Sequence, residues 1–141
     1  MQKVGLIIPG SSFLVDERVT PGLGILRVAA ILEQAKIPVD VLDLCGVQNY
    51  QEVVREYIVS SGASTIGIGA TSPQMPAVVK IVQAIRKTGK SIKLIFGGSH
   101  ATAVNAAARM EQKKGIKGRG HAGLQQILDM FDVVIAGDGE R

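Results

Sequence analysis

The sequence predicts an open, doubly wound α/β domain built on a five-stranded parallel sheet, and three observations carry that reading. Short β-branched runs alternate with segments of helical period along the whole chain, the pattern of repeated βα units. The apolar share of 46% comes mainly from Val, Ile, Leu and Ala, with no Trp and only 4% aromatics. Such a composition suits parallel strands buried on both faces and argues against an aromatic base-stacking platform. Finally, no linker, repeat or low-complexity tract divides the 141 residues, which suffice for one sizeable core.

Strands are expected at Val4 to Ile8, Val39 to Leu44, Thr65 to Ala70, Ile92 to Phe96 and Val133 to Ala136. Each intervening segment places apolar residues at i, i+3, i+4 and i+7, one face of a helix. These stripes are Ile25, Val28, Ala29 and Leu32; Tyr50, Val53, Val54 and Tyr57; and Val78, Ile81, Val82 and Ile85. Two more are Ala103, Ala106, Ala107 and Met110, then Leu124, Ile127, Leu128 and Phe131. Asn49 with Glu52 three residues on predicts a capping box, and Gly89 marks the end of the third helix. The stretch Gln112 to Gly123, with four glycines and a cluster of basic side chains, predicts a mobile, solvated loop outside the core.

The net charge of +4 is partly local to that stretch, which holds Lys113, Lys114, Lys117, Arg119 and His121. It lacks interleaved aromatics and a helical basic face, so nucleic acid is not the expected partner, although a nucleotide or RNA remains the alternative ligand for it. The longest apolar runs, such as Val4 to Pro9, fall far short of the ~18 to 20 residues of a membrane span. No secretory leader is visible either, so a cytoplasmic location is expected. A single cysteine, Cys45, excludes an intrachain disulfide and any multi-cysteine metal or iron–sulfur site built by this chain alone. Next to Gly46, it reads as a small buried apolar residue.

Right-handed crossovers put the strand-to-helix loops at one edge of the sheet, where open α/β sheets bind ligands. The loops to inspect are therefore Gly10 to Pro21 with Ser11 and Ser12, Thr71 to Pro76, Gly97 to Ala101, and Gly137 onward. Each has an ordinary explanation as turn chemistry, but all are rich in Gly, Ser, Thr or Pro and meet at one edge. Common motifs fail: Gly22, Gly24 and Arg27 come too late for a dinucleotide fingerprint, no Gly-Lys-Ser/Thr ends a phosphate loop, and the acidic residues of a phospho-receiver are missing. His100, after Gly97, Gly98 and Ser99 at a helix start, reads as a neutral hydrogen-bonding or capping residue. Asp43 and Glu140 read as ligand contacts, and neither has a partner that would make a catalytic dyad.

Taken in order, Thr20-Pro21-Gly22-Leu23-Gly24-Ile25-Leu26, Val39-Asp40-Val41-Leu42-Asp43-Leu44, Gly67-Ile68-Gly69-Ala70-Thr71-Ser72-Pro73-Gln74, Gly97-Gly98-Ser99-His100-Ala101-Thr102 and Gly137-Asp138-Gly139-Glu140 resemble a known family. The chain resembles, over nearly its whole length, the amino-terminal cobalamin-binding domain of cobalamin-dependent radical S-adenosylmethionine enzymes. That resemblance implies a Rossmann-like, flavodoxin-like strand order, 2-1-3-4-5, with a corrinoid over the carboxyl edge. It implies cofactor contacts from Thr71, Ser72, Gln74, Gly97, Gly98, Ser99, His100, Gly137 and Glu140. No catalytic residue is assigned to the chain.

Three departures qualify the resemblance. The Asp-x-His-x-x-Gly of mutase and methyltransferase cobalamin domains is absent, the nearest analogue being Asp16-Glu17-Arg18-Val19-Thr20-Pro21, so no axial histidine is expected from the first loop. Gln112 to Gly123 is an insertion relative to the shorter family connection. The iron–sulfur motif Cys-x-x-x-Cys-x-x-Cys is missing, and the resemblance implies that the cluster and S-adenosylmethionine belong to a downstream barrel domain. Residues 1–141 are then expected to be the amino-terminal piece of a longer radical enzyme, not catalytic alone, with methyl transfer as the expected reaction of the whole. The competing reading is a scaffold that keeps the fold and no longer binds cobalamin.

Overall fold

The computed structural model describes residues 2–10 and 23–137. In order along the chain these form β1 (Val4–Ile8), α1 (Leu23–Gln34), β2 (Val39–Asp43), α2 (Tyr50–Ser61), β3 (Thr65–Gly69) and a 3-10 turn at Ser72–Gln74. Next come α3 (Met75–Lys87), β4 (Lys93–Gly97), α4 (Ser99–Lys114), α5 (Arg119–Met130) and β5 (Val133–Val134). The five strands form one parallel sheet in the order β2-β1-β3-β4-β5. The chain steps one way from β1 to β2 and the other way for every later crossover. Right-handed connections therefore put α1 on one face and α2, α3 and the α4–α5 pair on the other.

Packing bears out that division. The main core lies on the α2–α3 side, where Ile7, Ile66, Ile68, Leu94 and Phe96 of the sheet meet Val54, Ile58, Val78, Ile81, Ile85 and Ile127 of the helices. The α3 stripe is buried as its periodicity predicts, with Val78, Ile81 and Ile85 at 0% exposure. Burying each such side chain favours folding by about 1.5–3 kcal/mol. Toward the start of β2, Asp40 pairs with Lys3 at 2.7 Å and accepts a hydrogen bond from the Tyr57 hydroxyl at 3.1 Å. Gly5 makes room for that phenol, since a Cβ there would lie 2.5 Å from the Tyr57 oxygen. The Lys3 ammonium holds the Asp40 carboxyl below its ordinary range, against a smaller opposing effect of burial. Burial first and the Asp40 charge second push the Tyr57 phenol up to about 12.

On the opposite face α1 packs over β1 and β2, and Ile25 sits where a Cβ of Gly69 would point, 3.2 Å away. Register carries this face across to Ile95, which lies beside Val133. Val133 and Ile135 are each 36% exposed.

The element order stands as the sequence predicts, with strand ends displaced by a residue or two; Leu44, Ala70, Ile92, Ile135 and Ala136 fall outside the ladders. Four expectations need correction. Gln112 to Gly123 is not a loop: α4 runs on to Lys114, α5 begins at Arg119, and only residues 115–118 form the turn. The Glu111 carboxylate accepts backbone N–H groups from Gly118, Gly120 and His121 at 2.8–3.1 Å, satisfying donors at the start of α5 that have no partner within the helix. Gly120 is buried against α4, where a Cβ would lie 2.7 Å from the carbonyl carbon of Ala107.

Secondly, the predicted stripe Ala103, Ala106, Ala107 and Met110 is exposed, Met110 at 62%; Val104 and the Ala107 backbone face α5 instead. The two helices approach each other at Gly120 and Gly123, a contact that a search for large apolar residues overlooks. Thirdly, Asn49 stands at the N-cap of α2 with no side-chain cap bond to Glu52 or the backbone. Lastly, Cys45 is half-buried rather than buried, in a turn where its N–H donates to Asp43 Oδ1 at 3.0 Å. Among the described residues no helix is long and apolar enough to cross a membrane.

Candidate functional site

The carboxyl edge of the sheet gathers the loops after β1, β3, β4 and β5. Of the predicted site residues, Ser11, Ser12 and Glu140 lie outside the described residues. The remainder stand together at this edge, where polar groups of Gln74, Ser72, His100, Gly97 and Gly137 link one loop to the next.

After β3, Thr71 and Gln74 form the capping box that Asn49 and Glu52 do not. Gln74 Oε1 accepts the Thr71 N–H at 2.9 Å and the Thr71 hydroxyl at 3.2 Å. The amide nitrogen of Gln74 then donates to the carbonyl of Pro9 at 3.0 Å, tying this loop to the one after β1. A side-chain amide offers one acceptor and two donors, which lets Gln74 cap a turn and bridge to a neighbouring strand end.

After β4, the chain turns at Gly98 with φ +97° and ψ −172°, a region essentially restricted to glycine. The same residue passes so close to β3 that a Cβ would lie 2.9 Å from Ala70 N and 3.0 Å from Ala70 O. Ala70 N donates to Gly97 O at 3.3 Å, and His100 N donates to Ala70 O at 3.1 Å. The His100 imidazole extends this seam, with Nδ1 2.8 Å from Ser72 Oγ and the ring edge-on to Phe96. Burial holds its pKa below the ordinary 6.5. Neutrality thus follows from desolvation, and His100 caps nothing: Gly98 occupies the N-cap without a side-chain bond.

Thr102, one helical turn beyond Gly98, completes the series. Its hydroxyl donates to Gly98 O at 3.1 Å and accepts the N–H of Gly137, after β5, at 3.0 Å. Ser99 begins α4 beside these groups. Asp43 is exposed at the end of the edge strand β2, where its carboxylate supports the Cys45 turn rather than the seam.

Sequence reasoning misses Thr102 and the backbone oxygens of Pro9 and Ala70. Thr102 has a signal, standing four residues after Gly98 at the i, i+4 spacing of a helix hydroxyl bonded to its own backbone. The two carbonyls have none, because which backbone oxygen faces a neighbouring loop is fixed by the sheet. Among the described residues no group of three or more His, Cys, Asp or Glu side chains is placed to hold a metal ion.

Known proteins with this architecture bear on what such an edge holds. A model of the B12 binding domain family matches residues 14–128, and the chain belongs to that family. It is therefore a cobalamin-binding domain in class. No curated protein matches the sequence. Among solved structures it is similar to TsrM, a radical S-adenosylmethionine methyltransferase from Kitasatospora setae, with 16% identity and a TM-score of 0.62 over 92% of this chain and 26% of that one. It is similar also to a cobalamin-binding protein from Desulfitobacterium hafniense (15% identity, TM-score 0.52, 92% of this chain and 58% of that one). The fold is shared more widely, for a type II dehydroquinase from Butyrivibrio crossotus aligns at 17% identity and TM-score 0.56 over 99% of this chain and 90% of that one. Fold alone does not fix function. The chain thus spans about a quarter of the first of these proteins and about three fifths of the second.

Proposed function

We propose that this chain is the corrinoid-holding module of a radical S-adenosylmethionine enzyme, and that it binds cobalamin at the carboxyl edge with no protein imidazole beneath the cobalt. The observation that carries the reading is the linked set of loops, Pro9 to Gln74, Ser72 to His100 and Thr102 to Gly137, in a chain of the B12 binding family. Bonds already made between loops lower the ordering cost of taking up a ligand. The residues fit the group. Gly97 and Gly98 let backbone come close, and the exposed Ser99 offers a hydroxyl, while those of Thr71 and Ser72, already bonded to Gln74 and His100, keep acceptor lone pairs, for a cofactor rimmed with amides and carrying a phosphate. Bound cobalamin would supply a cobalt centre able to carry a methyl group. The chain's own groups hold and orient it.

Only two histidines occur, His100 and His121, and the loop after β1 has none. His100 is engaged with Ser72, and His121 stands in the first turn of α5. The cobalt would therefore take no imidazole from the first loop. Radical chemistry would come from a second domain of the same enzyme, and the exposed Val133 beside Ile95 and Ile135 beside Gly97 provide apolar surface for it to cover. A second reading, the scaffold without cofactor, is favoured by Thr71 and Gln74, whose polar groups serve the loops themselves.

One experiment separates the two. The protein is mixed with hydroxocobalamin, passed through gel filtration, and its retained absorption spectrum recorded. A shifted corrin spectrum in stoichiometric amount supports the module, and none supports the scaffold. Electron paramagnetic resonance of the cob(II)alamin complex then tests the lower face. With the cofactor's own benzimidazole also displaced from the cobalt, lines without nitrogen splitting are expected; splitting that disappears in His100→Ala would show a histidine on the metal, splitting that persists would show the tail base bound, and either would overturn the ligation proposed here.

A further inference from the structure

Ser72 Oγ and His100 Nδ1 lie 2.8 Å apart, and one proton is shared between them. Among the described residues the hydroxyl makes no other hydrogen bond, and the imidazole Nε2 makes none. A histidine's tautomer is set by the bond that one of its nitrogens makes, which leaves the other nitrogen with the opposite role. We propose that Ser72 donates to Nδ1, fixing His100 as the Nε2–H tautomer, and that this N–H is a specificity-determining donor for an oxygen acceptor of the bound corrinoid.

The ring is well placed to act as a fixed donor. Its backbone N–H is anchored to Ala70 O at 3.1 Å, its edge rests on Phe96, and its Nδ1 is held by a residue 28 positions earlier in the chain. With its backbone and ring both tied to the loop after β3 and the ring set against Phe96 of β4, the imidazole has little rotamer freedom to lose on binding. Among the described residues no charged side chain bonds to the ring, and partial burial keeps it neutral. A neutral Nε2–H suits a phosphodiester or a carboxamide oxygen, the two acceptor types a corrinoid carries. The donor role rests on the corrinoid reading above, and its first test does not.

That test is histidine-selective 15N NMR of the full chain without cofactor, with His121→Gln to assign the signals. The expected spectrum at neutral to mildly alkaline pH shows His100 with bare Nδ1 and protonated Nε2; the reverse pattern overturns the proposal. In Ser72→Ala the two tautomers should mix, and in Ser72→Thr, which keeps a hydroxyl, the single tautomer should return. Affinity for hydroxocobalamin should then fall roughly threefold to tenfold in Ser72→Ala, the effect of one net hydrogen bond, and recover in Ser72→Thr. Dicyanocobinamide, which lacks the nucleotide loop, identifies the acceptor. Equal affinity in wild type and Ser72→Ala assigns the phosphate, and the same loss as with hydroxocobalamin assigns a corrin amide. An unchanged affinity for both corrinoids in Ser72→Ala overturns the donor role. Failure of the wild type to bind either corrinoid defeats the corrinoid reading and the donor role with it, but leaves the tautomer result standing.

Discussion

Substituting Gly98 by alanine tests whether the seam between the β3 and β4 loops holds the carboxyl edge together. At φ +97° and ψ −172° a Cβ carries backbone strain of about 1–3 kcal/mol. That Cβ also lies 2.9 Å from Ala70 N and 3.0 Å from Ala70 O, which are backbone atoms and cannot swing aside. Overpacking of this kind costs about 1–3 kcal/mol. One small shift of the loop relieves part of both, so a net loss of about 2–4 kcal/mol is expected. For a chain of this size that corresponds to a fall in Tm of roughly 6–15 °C. Urea denaturation followed by circular dichroism measures it, with Gly24→Ala as the control. Gly24 is an exposed glycine of α1 with nothing among the described residues within 4 Å of where a Cβ would stand, and alanine there should gain up to about 1 kcal/mol. The shift that accommodates the added methyl group would also disturb the His100 N to Ala70 O bond, so retention of hydroxocobalamin should weaken alongside. A Gly98→Ala protein within about 0.5 kcal/mol of wild type, the ordinary range of an inconsequential surface change, would refute the reasoning.

Three further outcomes follow from contacts away from the edge. Gly120→Ala, whose Cβ would meet Ala107 and the Ala108 nitrogen at 2.7–2.8 Å, should destabilise by about 1–3 kcal/mol in the same urea assay, despite alanine's better helix propensity. Glu111 is held below its ordinary 4.5 chiefly by the Gly120 and His121 N–H groups, so its contribution is present above that value and is lost as pH falls through the folded pKa. Glu111→Gln should therefore be less stable than wild type at neutral pH, the difference should close in acid, and trypsin should cut faster between Lys113 and Arg119. Tyr57 is neutral in the fold up to about 12 against an ordinary 10.0, so the stability linked to it is present below pH 10.0 and disappears as pH rises through about 12. Phenolate absorbance read in wild type and Tyr57→Phe isolates this group, and a transition near its ordinary value would contradict the burial described.

Much of the fold is legible in the sequence because strand and helix periodicities agree with the turn chemistry between them, as Val78, Ile81, Val82 and Ile85 on α3 illustrate. The short turn and the packing of the α4–α5 hairpin are not legible, for the opposite reason. Its glycines and lysines read as a solvated loop, while the helices are held by Glu111 reaching nine residues along to Gly120 N and by a glycine that lets Ala107 approach. Neither device has a periodic signature. At the site, Thr71, Ser72, Gln74, Gly97, Gly98 and His100 are recognisable as a group, but their bonding is not. Whether Gln74 faces a ligand or the carbonyl of Pro9, 65 residues away, depends on the pairing of β1 with β3, and a single sequence does not record it.

Strand β5 is tied to β4 by only two register pairs, Ile95 with Val133 and Phe96 with Val134, reinforced by Asp132, whose carboxylate accepts the Leu94 N–H at 2.7 Å. Local opening free energies rise with the number of buried contacts and ladder bonds an element must give up. Amide hydrogens of β5 should accordingly exchange with solvent well before those of β1 and β3, which are paired along both sides. Gly137 follows β5 and is held at the edge through Thr102, so each such opening would release that bond as well. The carboxyl edge would then have a slow half, set by β1, β3 and the Gln74 bridge, and a fast half that breathes with β5.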